Sequence, residues 1–333
     1  MSKYTVGGLF SGIGGLELAF EEAGFKISWS NELDNDACKT YELNHPKHNL
    51  IKGDIWTLLK EDTFPSSSVD VLVGGFPCQS FSVAGYRKGL DDERGNLFYS
   101  ITNVIKKMEI KPKALVLENV KNLRTHDKGK TRETIDKELA DLGYSRIWDI
   151  YNTSDYTDIP QNRERTVIVC FKDEKDHGLF KNEICSDYFD SNKELMKSKN
   201  KKSITDFLEK KVDDKYYYSP KTSFYKELQD SVIDEKSVYQ WRRKYIRKNK
   251  SNECPTLTAN MGTGGHNVPI IIDKKGFRKL TPIECFRFQG NIGIAFPDKM
   301  SDSSLYKQAG NSVTVDLFKK IALLVKSSLK IKY

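Results

Sequence analysis

The 333-residue chain predicts an α/β protein, a doubly wound parallel sheet joined to a smaller, irregular second domain. Three observations predict it. Strand-like runs alternate with amphipathic helical stretches through the first half. A glycine turn, FSGIGG at residues 10–15, links the first strand to the first helix. Beyond residue 171 the alternation gives way to a Lys- and Asn-rich region with short turns. The length fits about two domains.

Residues 4–10 read as the opening strand and 16–23 as the helix after the turn. Further strands are predicted at 27–32, 69–74, 114–118, 146–151 and 166–171, several with the Val/Ile/Leu content of strands buried on both faces. Helices fall between them at 34–44, 97–108 and 131–142, as a doubly wound sheet requires. Such sheets bind ligands at the carboxyl ends of their strands. The first domain is expected over 1–178, completed by a C-terminal helical region within 306–333 whose clearest pattern is 313–329. The second domain, 179–305, includes a glycine-rich, loop-like stretch, TLTANMGTGGHNVP at 256–269.

Composition narrows the class. A hydrophobic fraction of 38% with 11% aromatic excludes a disordered chain. No apolar run approaches the ~18 residues of a membrane-spanning helix. The N-terminus, MSKYTVGGLF, lacks an export signal, so a cytoplasmic location is expected. The six cysteines have no C-x-x-C pair, which fits a reducing compartment and neither a disulfide scaffold nor a zinc knuckle. Of five histidines only His45 and His48 lie close together, and they form no cluster of metal-ligand spacing with neighbouring Cys or carboxylates, so no metal is predicted.

Charge is regional. Residues 193–250 hold 17 Lys/Arg against 9 Asp/Glu, an excess equal to that of the whole chain, 54 against 46. Such a run is either a solvated surface or a phosphate-binding face. The stretch YQWRRKYIRKNK, 239–250, sets aromatics among cations, which suits phosphate contacts with stacking or packing rings beside them and makes Arg242 and Arg243 candidates for nucleic-acid contact.

Four segments carry chemistry. FSGIGG follows a strand and opens a helix, where a nucleotide-type cofactor approaches the backbone. It reads G-x-G-G, so the pyrophosphate fingerprint is incomplete and a bare tight turn is the alternative. Glu32 ends the next strand twenty residues after Gly12, the place where a carboxylate accepts ribose hydroxyls, and Asp54 in KGDI offers a second carboxylate. GGFPCQSFS, 74–82, sets Cys78 beyond a buried strand and after a proline. A Gly/Ser-rich strand-end loop is a poor core site and a good place for a nucleophile. ENV, 118–120, ends the strand LVLENV and should aim Glu118 into the same cleft as an acid. QNRER, 161–165, carries Arg163 and Arg165, which suit a carboxylate or phosphate, or are ordinary surface residues.

Taken in order, these motifs resemble the DNA (cytosine-5) methyltransferases, over nearly the whole chain. FSGIGG is similar to that family's S-adenosylmethionine loop, GFPCQSFS to its nucleophile loop, ENV to its acid motif and QNRER to its arginine motif. RKLTPIECFRFQG, 278–290, resembles the segment that organises the recognition domain, and QAGNSV, 308–313, the one that returns to the cofactor site. The resemblance implies a Rossmann-like methyltransferase sheet with a target-recognition domain. It makes Cys78 the nucleophile, Glu118 the partner of cytosine N3, Arg165 a support of the catalytic pocket, and Arg163 an assistant near the target nucleotide. Phe10, Gly12, Gly14, Gly15, Glu32, Leu33, Asp54, Ile55, Pro77, Asn311 and Ser312 would surround S-adenosylmethionine, Glu32 on the ribose and Asp54 near the adenine. Gln79, Ser82, Thr256 and Leu257 would lie against double-stranded DNA, with sequence reading in about residues 175–276.

The implied chemistry explains these residue types. Cytosine C5 is a poor nucleophile until a thiolate adds at C6, and the target must leave the duplex to be reached. Two departures from the family pattern stand out: FQGN, 288–291, lacks the aromatic-Pro pair that commonly follows this glycine, and Leu33 stands where an aromatic often covers adenine. The competing readings are transfer-RNA methylation, a DNA-binding protein without catalysis, and a nicotinamide oxidoreductase, which leaves Pro-Cys-Gln and QNRER unexplained. A single recognition segment resembles a prokaryotic or phage modification enzyme, monomeric and functionally paired with a restriction endonuclease without a stable complex.

Overall fold

The computed structural model describes residues 4–65, 67–76, 97–172, 189–242, 244–263 and 268–330. They form two compact units. One comprises Met1–Tyr151, Glu164–Met196 and Phe318–Tyr333; the other comprises Asn152–Arg163 and Lys197–Leu317. This division runs differently from a single cut near residue 179, because the chain visits the second unit briefly at Asn152–Arg163 before its last strand in the first.

Strands are numbered along the whole chain: β1 Thr5–Leu9, β2 Lys26–Glu32, β3 Leu50–Lys52, β4 Val71–Gly75, β5 Ala114–Val120, β6 Tyr144–Asn152, β7 Gln161–Asn162 and β8 Glu164–Lys172. Seven of them make the sheet of the first unit, in the order β3-β2-β1-β4-β5-β8-β6. The order reverses between β1 and β4, which run parallel with Leu9 beside Gly74. That reversal creates the crevice at the strand ends where ligands bind in open α/β sheets.

The central strands are hydrophobic without alternation because both faces are covered. Val71, Leu72, Val73, Leu115, Val116 and Leu117 are all fully buried. Helix Leu97–Lys107 lays Phe98, Ile101, Val104 and Ile105 onto one face, joined by Ile135 and Leu139 of helix Lys130–Asp141. Elsewhere in this unit, helix Val315–Ser328 sends Lys326 Nζ to the Ala23 carbonyl at 2.7 Å, and the Tyr4 hydroxyl donates to the Leu329 carbonyl at 3.1 Å.

One expectation needs correcting: the sheet is parallel from β3 to β5, but β8 runs antiparallel to β5. A parallel neighbour needs a crossover of a dozen or more residues, usually a helix. Between β6 and β8 the chain has only eleven residues, holding one four-residue helical turn, Thr153–Tyr156, and the two residues of β7. The strand therefore comes back reversed.

The second unit is built on a four-stranded sheet of β9 Tyr239–Trp241, β10 Ile246–Lys248, β12 Ile270–Asp273 and β13 Gly276–Lys279, in the order β10-β9-β12-β13 with antiparallel pairing. A short strand, β11 Cys254–Pro255, pairs parallel with β7. Arg278 organises this unit. Its guanidinium makes two 2.8 Å bonds to the buried Glu284 carboxylate, which also accepts from the Thr281 N–H at the start of helix Pro282–Arg287. Burial of a charged pair is sustained here because both partners are fully hydrogen-bonded.

Candidate active site

In the first unit, Phe10, Gly12, Gly14, Glu32 and Glu118 stand in or just beyond the carboxyl ends of β1, β2 and β5. After β1 the backbone turns sharply: Phe10, Gly12 and Gly14 all have positive φ, at 55°, 56° and 89°. For Gly14 no other residue fits, since a Cβ would also come 2.6 Å from His45 Nε2. Helix Gly15–Glu22 then starts. Glu32, at the end of β2, reaches back to this turn. Its Oε2 accepts from the Gly12 N–H at 2.6 Å, while Oε1 accepts from the N–H groups of Leu33 and Asp34 at 2.8 and 2.7 Å. The twenty-residue spacing between Gly12 and Glu32 is thus closed by a direct bond.

Not every expected residue points the same way. Leu33 is 63% exposed, whereas Ile55 is buried in the sheet core. Asp54 caps helix Ile55–Lys60, its Oδ2 accepting from the Thr57 N–H and hydroxyl, both at 3.0 Å. Phe10 is partly buried and packs on the sheet core.

At the end of β5, Glu118 lies across from Gly75, where an added Cβ would come 3.1 Å from its Oε2. From the antiparallel strand β8, Arg165 Nε reaches Glu118 Oε1 at 2.9 Å, with both side chains 12% exposed. Burial pulls the Arg165 guanidinium below its usual pKa and Glu118 opposes that pull. The neighbour Asn119 was not singled out by sequence reasoning. Its buried Nδ2 donates to the Phe76 carbonyl at 2.7 Å and its Oδ1 accepts from the Val120 N–H. Phe76 is two residues before Cys78, so Asn119 ties the acid strand to the start of the nucleophile segment. The signal for it was its place in ENV beside Glu118.

Pro77, Cys78, Gln79, Ser82 and Arg243 lie outside the described residues. The described cysteines, Cys38, Cys170, Cys254 and Cys285, are all buried and free. Burial pushes each thiol up, Cys38 to about 11 and the other three further, so none of these four is poised as a thiolate.

The QNRER motif divides at the unit boundary. Arg165 belongs to the first unit, but Arg163 turns into the second, where it is 2% exposed. Its guanidinium donates to the carbonyls of Leu257 at 2.7 Å, Gly310 at 3.2 Å and Ser312 at 2.6 Å. Gln161 adds bonds to the Phe288 carbonyl and Gln289, and the Thr256 hydroxyl donates to the Asn162 carbonyl at 2.6 Å. Four separate motifs of the sequence meet in this one network. Asn291, where the aromatic-Pro pair was missing, is buried and donates to Ser312 Oγ at 3.3 Å. Asn311 is exposed at the end of helix Asp302–Asn311.

The aromatics of the basic run divide between packing and exposure, with Tyr245 57% exposed. Tyr239 and Ile246 are buried and Trp241 stacks on Phe224 at 4.6 Å, so these three side chains are core. Arg242, Lys244, Arg247 and Lys248 are exposed, and the Gln240 amide oxygen accepts from both Arg242 and Arg247.

Residues 4–327 match the family model of the C-5 cytosine-specific DNA methylases. The chain belongs to this family. It is a DNA cytosine-5 methyltransferase that uses S-adenosylmethionine as methyl donor. Among curated relatives, it is 45% identical over 320 residues to Type II methyltransferase M.Bsp6I of Bacillus sp. (strain RFL6), covering 95% of this chain and 96% of that one. It is 34% identical over 346 residues to Type II methyltransferase M.HhaI of Haemophilus parahaemolyticus, covering 97% and 94%. Among solved structures, the Entamoeba histolytica methyltransferase EhMeth shares the fold, with a TM-score of 0.71 at 16% identity over 99% of this chain and 100% of that one.

The first unit of this methyltransferase fits its cofactor. An added Cβ at Gly12 would meet nothing within 4 Å, so the turn leaves open space beside its backbone. Next to it are a strand-end carboxylate suited to ribose hydroxyls and the exposed apolar Leu33. S-adenosylmethionine has no phosphate, and the incomplete G-x-G-x-x-G pattern is consistent with that.

Proposed function

We propose that this methyltransferase acts on a cytosine flipped out of a short specific site in double-stranded DNA, with Cys78 as nucleophile. The observation that carries the reading is the Arg165-held carboxylate of Glu118, beside the strand whose next segment contains Cys78. The Cys78 thiolate adds to cytosine C6, forming the S–C6 bond and moving the C5–C6 electron pair onto C5. Glu118 shares a proton with N3 and so offsets the charge that addition pushes into the ring. Held at the Gly12 turn, S-adenosylmethionine would supply an electrophilic methyl to C5, its S–CH3 bond breaking to leave the neutral thioether. Loss of the C5 proton to water then turns the C5–H bonding pair into the C5–C6 double bond, and the S–C6 bond breaks to release the Cys78 thiolate.

Phe10, Gly12, Gly14, Gly15, Glu32 and Leu33 would hold the cofactor, Glu32 through the one lone pair on Oε2 that its three N–H donors leave. Asp54 would do so from its cap position, and Ile55 acts as core behind it. Arg163 is better described as a positioning residue than as a contact to the target, because its guanidinium is committed to three backbone carbonyls. It would set the placement of Thr256, Leu257, Asn311 and Ser312. The exposed cations of β10 and of the turn before it, Arg242, Lys244, Arg247 and Lys248, supply phosphate contacts that offset the few kcal/mol cost of base flipping.

The relatives' naming as Type II methyltransferases supports a place in a restriction-modification system; in this reading the chain acts as a monomer in the cytoplasm. Among the described residues no helix is long and apolar enough to cross a membrane. The test is transfer of labelled methyl from S-adenosylmethionine to duplex DNA and to transfer RNA, with digestion to nucleosides. Label in 5-methylcytosine of DNA alone is expected. Label in RNA alone would overturn the substrate, and label in a different base would overturn the chemistry.

A further inference from the structure

Helix Gly15–Glu22 and the end of helix Asn35–Asn44 bring three donor groups together behind the glycine turn. One ring nitrogen each of His45 and His48 and one oxygen of Glu21 lie within 4.8 Å of one another. His48 Nε2 is 3.4 Å from Glu21 Oε2, and the two imidazoles lie nearly parallel, 8° apart in plane with centroids separated by 5.0 Å. In the sequence Glu21 stands 24 residues before His45, which is why a search for neighbouring carboxylates predicted no metal.

The bonds behind the rings define their lone pairs. His45 Nε2 is 3.2 Å from the Ile13 carbonyl, which only accepts, so Nε2 carries the proton and Nδ1 the lone pair. The Tyr41 hydroxyl donates to Ser30 Oγ at 2.8 Å and stands 3.0 Å from His48 Nδ1. With its own proton used, it accepts from His48 Nδ1, and His48 Nε2 faces the Glu21 carboxylate, where an ion would take the place of a proton. Two imidazoles, each with an oxygen behind one ring nitrogen, are the pattern that metal-bound histidines show. His48 is nearly buried, while the Glu21 side chain is 52% exposed and gives an ion a way in.

We propose that His45, His48 and Glu21 form a site for a zinc-type divalent transition-metal ion, with water as the fourth ligand. Two imidazoles favour zinc over magnesium or calcium. Zinc bonds of about 2.0–2.1 Å need the donors roughly 3.3 Å apart, and the exposed Glu21 side chain has room to close on the ion. Because His45 fills the space against Gly14 and holds the Ile13 carbonyl, the ion would stiffen the turn at residues 12–15.

The test uses the full chain stripped with EDTA, titrated with Co2+ as a spectroscopic stand-in and melted with and without Zn2+. One Co2+ per chain is expected, with the visible absorption of a four-coordinate site and no thiolate charge-transfer band. Zn2+ should raise the melting temperature of the wild type and not that of His48→Ala, each read against its own metal-free value, since loss of the nearly buried ring lowers the variant's baseline. Glu21→Gln, a surface change that keeps the fold, should weaken Co2+ binding by about 10-fold or more. A stoichiometry of zero, a thiolate band, or unchanged binding in Glu21→Gln would each overturn the proposal.

Discussion

Across the antiparallel pair of β5 and β8, Arg165 Nε sits 2.9 Å from Glu118 Oε1, and little of either side chain reaches solvent. Removing one partner of such a pair strands the other charge in low dielectric. Arg165→Ala should therefore lower kcat by at least about 100-fold and cost about 3 kcal/mol of stability. Arg165→Lys, which keeps the charge and loses the planar geometry, should recover most of the stability and less of the rate. Steady-state methyl transfer and denaturant unfolding measure the two effects separately.

Asn119 donates to the Phe76 carbonyl at 2.7 Å. Asn119→Ala should lower kcat about 10-fold or more while leaving S-adenosylmethionine affinity unchanged, because the cofactor turn lies on β1 and β2. The lost buried bond should cost about 1–2 kcal/mol. Calorimetric binding of the cofactor beside a kcat measurement separates this from general unfolding.

Much of this arrangement was legible in the sequence. The alternation of strands and helices, the turn at 10–15 and the closing helix all follow from periodicity and local turn chemistry, which are properties of contiguous residues. Glu32 was legible because a fixed strand-turn-helix unit fixes its distance from Gly12. The direction of β8 was not, since buried strands read alike whichever way they run. The hairpin of Ile270–Asp273 and Gly276–Lys279 was missed although III-DKKG carries both a strand and a turn signal. Arg163 and Arg165 look equivalent as text. In the fold, β7 ends at Asn162 and β8 begins at Glu164, so Arg163 falls in the break and its side chain leaves the direction of Arg165.

The break has a measurable consequence. Arg163→Ala leaves the buried carbonyls of Leu257, Gly310 and Ser312 without their donor. The expected loss is at least about 3 kcal/mol, enough to lower the melting temperature by roughly 4 °C or more. Arg163→Lys cannot serve three carbonyls in one plane and should rescue only part.

Glu17 gives a pH signature. It is fully buried against Gly8, and burial raises its pKa from 4.5 to about 7. The Ser11 and Ser30 hydroxyls ease its charge only partly, and neither oxygen has a hydrogen bond of good geometry. The folded chain thus holds a proton that the unfolded chain has lost above pH 4.5. That stabilisation is complete below 4.5 and is lost as pH rises to about 7, a change of about 3 kcal/mol. Glu17→Gln should flatten this part of the stability curve and leave the variant more stable than the wild type at pH 8. Denaturant midpoints of both proteins at pH 5 and pH 8 check the sign.

The central claim is a covalent step at Cys78 assisted by Glu118, and trapping tests it most directly. Duplex DNA substituted with 5-fluorocytosine cannot lose a proton from C5, so the enzyme should remain bonded to the base after S-adenosylmethionine is added. A denaturation-stable adduct is predicted for the wild type, none for Cys78→Ala, and slower formation for Glu118→Gln. An adduct that persists in Cys78→Ala, or methylation of ordinary DNA by that variant, would contradict the account.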